Sequence, residues 1–204
     1  MMKNIFFGLL ALPFLLLSCQ ADADKNAAPQ SQTVHVAPQP SEAEMAQSLY
    51  QLPDTFRNQD NQPMMLSDFK GKPTVISMVF TYCGYACPRL TADMQQIEKQ
   101  LGADADKVNF VLVSFDVERD VPERLKAYAQ EQQLDKNFTL LHGSEDAVRN
   151  LGVLLDIQFE KDEDGNFAHG NIINVLDPYG IIRHRKEGLE QNHDQTIAEV
   201  QKYL

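Results

Sequence analysis

The sequence predicts an α/β fold: a central mixed sheet flanked by helices, with an inserted hairpin. Three observations carry this prediction. Two unbroken β-branched and aromatic runs, at 74–80 and 108–115, are each followed by helical periodicity, the order that makes parallel strands. A later pair of apolar runs is joined by Asp177-Pro178-Tyr179-Gly180, whose Pro and Gly suit a tight antiparallel turn. A final amphipathic stretch carries Ile197, Val200 and Leu204 at helical spacing.

The elements follow in order. From about residue 48 the composition turns to punctuated apolar runs, and the domain is placed at 48–204. Lys70-Gly71-Lys72-Pro73 is a turn that feeds Thr74 to Phe80, a continuous apolar run expected of a buried central strand. Leu90, Met94, Ile97 and Leu101 then mark one face of a helix that Gly102 ends. Val108 to Phe115 is a second buried strand, and Pro122 opens a helix with Leu125, Tyr128 and Ala129 inside. Phe138 to Leu141 reads as a short strand and Ser144 to Leu151 as a short helix. Ile157 to Phe159 reads as an extended segment ending in the turn Asp162 to Gly165. Ile172 to Leu176 and Ile181 to Arg183 form the antiparallel hairpin, and Asp194 is placed as the cap of the last helix. A parallel βαβ half, an antiparallel hairpin and a closing helix are the order of the thioredoxin-like fold, with extra elements inserted between the halves.

Ahead of the domain, Met1-Met2-Lys3 leads into a thirteen-residue apolar run, Ile5 to Leu17, too short to span a ~30 Å hydrocarbon core. It reads as a signal segment. Leu16-Leu17-Ser18-Cys19 resembles the lipobox of bacterial lipoproteins, so 1–18 is expected to be a removed signal peptide and Cys19 the lipidated new N-terminus. An ordinary secretory signal would leave the chain equally extracytoplasmic. Residues 19–47 are expected to form the lipidated cysteine and a flexible tether, because Gln20 to Pro40 is rich in Ala, Gln and Pro and almost free of bulky residues. Gln20 after the cysteine is linked among bacterial lipoproteins to outer-membrane sorting, and inner against outer membrane stays open.

Acidic residues outnumber basic ones 29 to 18, for a formal net charge of -11, which argues against binding nucleic acid. The acidic surface and the lack of a heptad pattern favour a monomer.

Cys83 and Cys87 follow the first core strand at a helix start, the end of a parallel strand where α/β sheets place ligands. Four residues apart, both sulfurs reach one face, and the helix N-terminus favours thiolate. Such a pair can hold a soft metal such as Cu(I), form a disulfide, or attack one. The chain has five histidines from which a third ligand can come. The hairpin strand runs antiparallel to the first core strand and starts where that strand ends, so topology brings His169 to the cysteines. His35 lies in the tether and His184 at the far end of the hairpin, while His142 and His193 read as solvated or capping. His169 itself falls in a run, Gly165 to Gly170, expected to be flexible. Asp116, at the end of the second strand, either stands behind a ligand and orients it or steers a cation, or is a turn aspartate. Met94 fits a helix core face and Met64-Met65 loop packing, and no methionine is assigned as a ligand.

Phe80-Thr81-Tyr82-Cys83-Gly84-Tyr85-Ala86-Cys87-Pro88, Val113 to Pro122, Phe167-Ala168-His169-Gly170 and Leu176 to Gly180 together resemble the SCO/SenC family of copper chaperones. The resemblance covers roughly 48–204. It implies copper held by Cys83, Cys87 and His169, as Cu(I), Cu(II) or both, with Asp116 at an acidic position near the site. It also implies assembly of the copper centre of cytochrome c oxidase, the partner being its copper-bearing subunit or another copper chaperone. Two features depart from the family: many members carry a transmembrane anchor, and many have serine where Gly170 stands.

The preferred reading is therefore a tethered metallochaperone without turnover of its own. The alternative is a periplasmic thiol-disulfide oxidoreductase with Cys83 as nucleophile and Cys87 as resolving thiol. Three residues between the cysteines, and His169 nearby, favour the metal reading, since a reductase has no need of the histidine.

Overall fold

β3 (Thr74–Val79) is buried at all positions, and the sheet extends from it on both sides. On one side β4 (Asn109–Ser114) runs parallel to it, with Val75 opposite Phe110, and β5 (Phe138–His142) runs parallel to β4. On the other, β8 (Ile172–Leu176) is antiparallel, with Val75 opposite Val175, and β9 (Ile182–Glu187) pairs antiparallel with β8. The far edge is β1 (Thr55–Asn58) followed by β2 (Pro63–Met65), so the seven-stranded order is β2-β1-β5-β4-β3-β8-β9. This is the α/β mixed sheet expected from the strand and helix order. The computed structural model describes residues 39–204, so the expectations for the signal peptide, Cys19, His35 and most of the tether lie outside the described residues. No helix among the described residues is long and apolar enough to cross a membrane.

Helix α2 (Ala86–Leu101) buries Leu90, Met94 and Ile97 completely and Leu101 almost so, at the spacing the sequence displays. Each such side chain contributes about 1.5–3 kcal/mol on leaving water. Gly102 ends the helix at φ 58°, a left-handed conformation that glycine adopts without strain. Helix α3 (Pro122–Glu131) starts on its proline and packs against β5. Helix α4 (Glu145–Leu155) is capped by Ser144 Oγ, which accepts from Ala147 N at 3.2 Å, and runs a full turn past Leu151, where sequence periodicity ends it. Leu155 is fully buried, and tertiary packing extends the helix. Helix α5 (Asp194–Gln201) packs on α2 and β9. Its N-cap is His193, so Asp194 occupies the first turn and is not the cap; its own N–H donates to Asn192 Oδ1 at 2.6 Å.

Three stretches in particular escape the sequence reading. Helix α1 (Glu42–Met45) is a single turn held by a capping box between Ser41 and Glu44. Glu44 also pairs with Arg183 at 2.8 Å, so this segment, ahead of the boundary near residue 48, is tied to the sheet edge. The β1–β2 hairpin buries only Phe56 fully, leaving no alternation to read. The third concerns the candidate site directly. The stretch Gly165 to Gly170, expected to be flexible, contains β7 (Phe167–His169), which pairs with β6 (Phe159–Lys161) in a separate two-stranded sheet. His169 thus stands on a strand, opposite Phe159.

Candidate metal centre

The cysteines sit where β3 hands over to α2. Cys87 is fully buried in the first turn of α2, its Sγ accepting from Phe80 N at 3.4 Å, and Cys83 is half-buried, its Sγ accepting from Cys87 N at 3.4 Å. Both are free thiols. Ser77 Oγ donates to Ile172 O at 2.6 Å, which pins the start of β8 to the end of β3 and brings the chain just before it to the cysteines. There His169 Nε2 lies 3.6 Å from Cys87 Sγ. The donor atoms of Cys83, Cys87 and His169 all fall within 4.8 Å of one another, the one such group of three found among the described residues. Topology therefore brings together the three residues that sequence reasoning selected.

The ring is oriented for ligation. Nδ1 lies 3.1 Å from Gly170 O, and since a carbonyl only accepts, Nδ1 carries the proton and Nε2 keeps its lone pair toward the sulfurs. Phe115 and Phe80 flank the imidazole, at centroid distances of 5.0 and 6.1 Å. Burial holds the imidazole pKa below its ordinary value, opposed by the bond to Gly170 O. Two sulfurs and one imidazole nitrogen form a soft donor set that suits Cu(I), and the geometry accommodates a single ion.

The two thiols differ. For Cys83, partial burial opposes ionisation, but the N–H groups of Cys87, Tyr85 and Ala86 outweigh it and the pKa falls below the usual thiol value. For Cys87, burial pushes the pKa strongly up, only partly offset by Phe80 N, and the neighbouring Cys83 charge adds to the rise. Metal-free protein treated with iodoacetamide at pH 7.5 is therefore expected to alkylate at Cys83 at least ~10-fold faster than at Cys87, as peptide mass spectrometry would read. Equal rates would contradict this asymmetry.

Asp116 is not among the clustered donors. Its buried carboxylate pairs with Arg119, whose guanidinium also donates to Gly165 O in the turn of the β6–β7 hairpin. It thus braces the element that carries His169 and touches no sulfur. The carboxylate that sequence reasoning passed over is Asp120, fully buried, which accepts from Thr81 N at 2.8 Å, Thr81 Oγ1 at 2.6 Å and Ser114 Oγ at 2.6 Å. Burial raises its pKa and these bonds oppose the rise. It fixes the residue two before Cys83. Its only sequence signal is position: in Glu118-Arg119-Asp120 it looks like one more acidic turn residue.

The other described histidines stand apart from the site. His184, on β9, lies 3.1 Å from Thr196 Oγ1, and His142 ends β5. His193 caps α5 but is 3% exposed, so it is not solvated. Met94 is core, as its spacing suggests, while Met64 and Met65 belong to β2.

Residues 42–204 match the sequence profile of the SCO1/SenC family. A SCO1 protein homolog of Bacillus subtilis (strain 168) is 29% identical over 153 residues, covering 72% of this chain and 79% of its own. A SCO1/SenC family lipoprotein from Bacillus anthracis str. Ames superposes with a TM-score of 0.69 at 29% identity, over 76% of this chain and 95% of that one. Bradyrhizobium japonicum ScoI with copper bound gives a TM-score of 0.66 at 26% identity, over 75% of this chain and 98% of that one. A match spanning the described domain almost from end to end, on a chain whose cysteines and histidine converge, establishes the assignment: the protein belongs to the SCO1/SenC family.

Proposed function

We propose that this protein binds one copper ion through Cys83 Sγ, Cys87 Sγ and His169 Nε2 and hands it to a copper enzyme outside the cytoplasm, the copper centre of cytochrome c oxidase being the acceptor. The observation that carries this reading is the convergence of the three donors within 4.8 Å, with the histidine tautomer set for Nε2 ligation. The copper-bound relative supports it, as does the solved structure of BsSco, described as a member of the Sco family of cytochrome c oxidase assembly proteins. Cys83, the more exposed of the pair, is the side from which the ion enters and leaves, and Cys87 and His169 form the inner wall.

We further propose that the chain works from a membrane surface through a lipid on Cys19, a reading supported by the lipobox-like Leu16 to Cys19 and by the related lipoprotein. A second reading has one observation in its favour. The low pKa of Cys83 beside the high pKa of Cys87 is the division between nucleophile and resolving thiol that a disulfide reductase uses.

An anaerobic titration of the reduced protein with Cu(I), in competition with a chromophoric chelator, tests the two. The copper reading expects one tight equivalent and its transfer to the isolated copper-bearing domain of an oxidase subunit. No tight equivalent, together with rapid Cys83-dependent reduction of a disulfide substrate, would replace it with the reductase.

A further inference from the structure

A second polar cluster lies beneath helix α2, away from the sulfurs. Asp93 on α2, Lys186 on β9 and His193 at the start of α5 meet there with side chains 1%, 8% and 2% exposed. Lys186 Nζ lies 3.7 Å from Asp93 Oδ2, and His193 Nε2 lies 3.4 Å from Asp93 Oδ1. Neither contact is a formed hydrogen bond: Asp93 Oδ1, Lys186 Nζ and both ring nitrogens of His193 are buried without a partner. Charged and polar groups interact strongly in the low-dielectric interior, so the arrangement of these three side chains depends on the charge that each carries.

The cluster is wired to the metal site. Asp93 Oδ2 accepts from Glu190 N at 2.9 Å, which pins the 188–193 loop onto α2. Glu190 in turn holds Arg89 Nε at 2.8 Å. Arg89 donates to Tyr85 O at 3.1 Å and lies 3.8 Å from the Tyr85 ring centroid. Tyr85 belongs to the turn between the two cysteines, and its N–H is one of those that favour the Cys83 thiolate. A continuous path therefore runs from His193 to the Cys83–Cys87 turn.

We infer that Asp93, Lys186 and His193 are positioning residues for the Cys83–Cys87 turn, and that acidification opens this cluster and weakens the hold on copper. The inference rests on the copper reading above. Carboxylate, ammonium and neutral imidazole sum to no charge, so one more proton leaves a buried net positive charge. The charged groups facing His193 are Asp93 from α2, Lys186 from β9 and Asp194 from its own helix, while the Glu190 carboxylate is turned toward Arg89. Burial lowers the His193 pKa, the nearby Asp93 opposes this, and Lys186 lowers it further. The sign follows: an exposed histidine takes its proton at higher pH than this buried one, so the closed arrangement is at full strength above the ordinary histidine pKa. It is lost as pH falls below that value.

The test is a Cu(I) titration of the full-length protein in detergent, against a chelator, from pH 7.5 to 5.5, for wild type, His193→Gln and Glu190→Gln. The wild type is expected to lose ~10-fold more affinity across this range than either variant. Glu190→Gln keeps the exposed loop and weakens only its link to Arg89, so it decides the matter should His193→Gln not fold. A slope equal to wild type in the folded variants overturns the proposal. Should the wild type bind no copper at any pH, the copper reading fails. The cluster is then judged by hydrogen exchange of the 188–193 amides in metal-free protein: acid-accelerated opening in wild type and not in His193→Gln sustains it, and no acid dependence overturns it.

Discussion

His169→Ala is expected to lower Cu(I) affinity by more than ~100-fold while leaving the metal-free domain folded, because losing a ligand exceeds the 10–100-fold cost of losing a residue that merely supports one. The ring contributes Nε2 at 3.6 Å from Cys87 Sγ and stands on a strand outside the seven-stranded sheet. Its removal therefore takes a donor from the ion and little from the core. Lost contacts with Phe115 and Phe80 amount to about 1 kcal/mol. Competition titration reads the affinity and thermal circular dichroism reads the fold. Unchanged affinity with an unchanged melting curve would remove His169 from the ligand set and leave a two-sulfur site.

Asp120→Ala is expected to be the most damaging single change near the site, costing about 3–5 kcal/mol of stability. The carboxylate accepts three buried hydrogen bonds, from Thr81 N, Thr81 Oγ1 and Ser114 Oγ, and alanine leaves all three donors without a partner. The damage reaches the site because Thr81 leads into the turn that carries Cys83, so copper affinity should fall by ~10-fold even where the variant is folded. Asp120→Asn retains an acceptor and should lose less on both counts. Urea denaturation gives the stability difference. A loss below ~1 kcal/mol for the alanine variant would mean that the loop finds other partners and that Asp120 is not its anchor.

The parts of this structure legible in the sequence are those set by continuous burial. Thr74 to Val79 and Asn109 to Ser114 are deep strands, and deep parallel strands write themselves as unbroken apolar runs. The α2 face shows through Leu90, Met94, Ile97 and Leu101 for the same reason. The cysteine pair was legible from spacing and His169 from topology, since β8 begins beside the end of β3. What stayed hidden depends on contacts distant in sequence. The β6–β7 strands are three residues each, below the length at which alternation can be counted, and the turn residues around Gly165 mask them. Asp120 and Asp116 differ by four positions and share a turn, yet one binds the cysteine loop and the other an arginine; only the fold separates them. His193 and Asp93, 100 positions apart, read singly as a cap and a helix carboxylate, and their meeting follows from α5 packing on α2.

The placement of His169 on its own small ladder has one more consequence. Cys87 and His169 are 82 residues apart in the chain, one on helix α2 at the end of the central strand and the other on the separate two-stranded ladder. An ion held by both acts as a reversible staple across that span, tying a small peripheral hairpin to the central sheet. Ligand binding to the folded state alone adds about 2.7 kcal/mol when free ligand is 100 times the dissociation constant. Cargo-loaded and empty forms should therefore differ in how readily the hairpin frays and a protease enters, so that delivering the ion leaves behind the shorter-lived form of the protein.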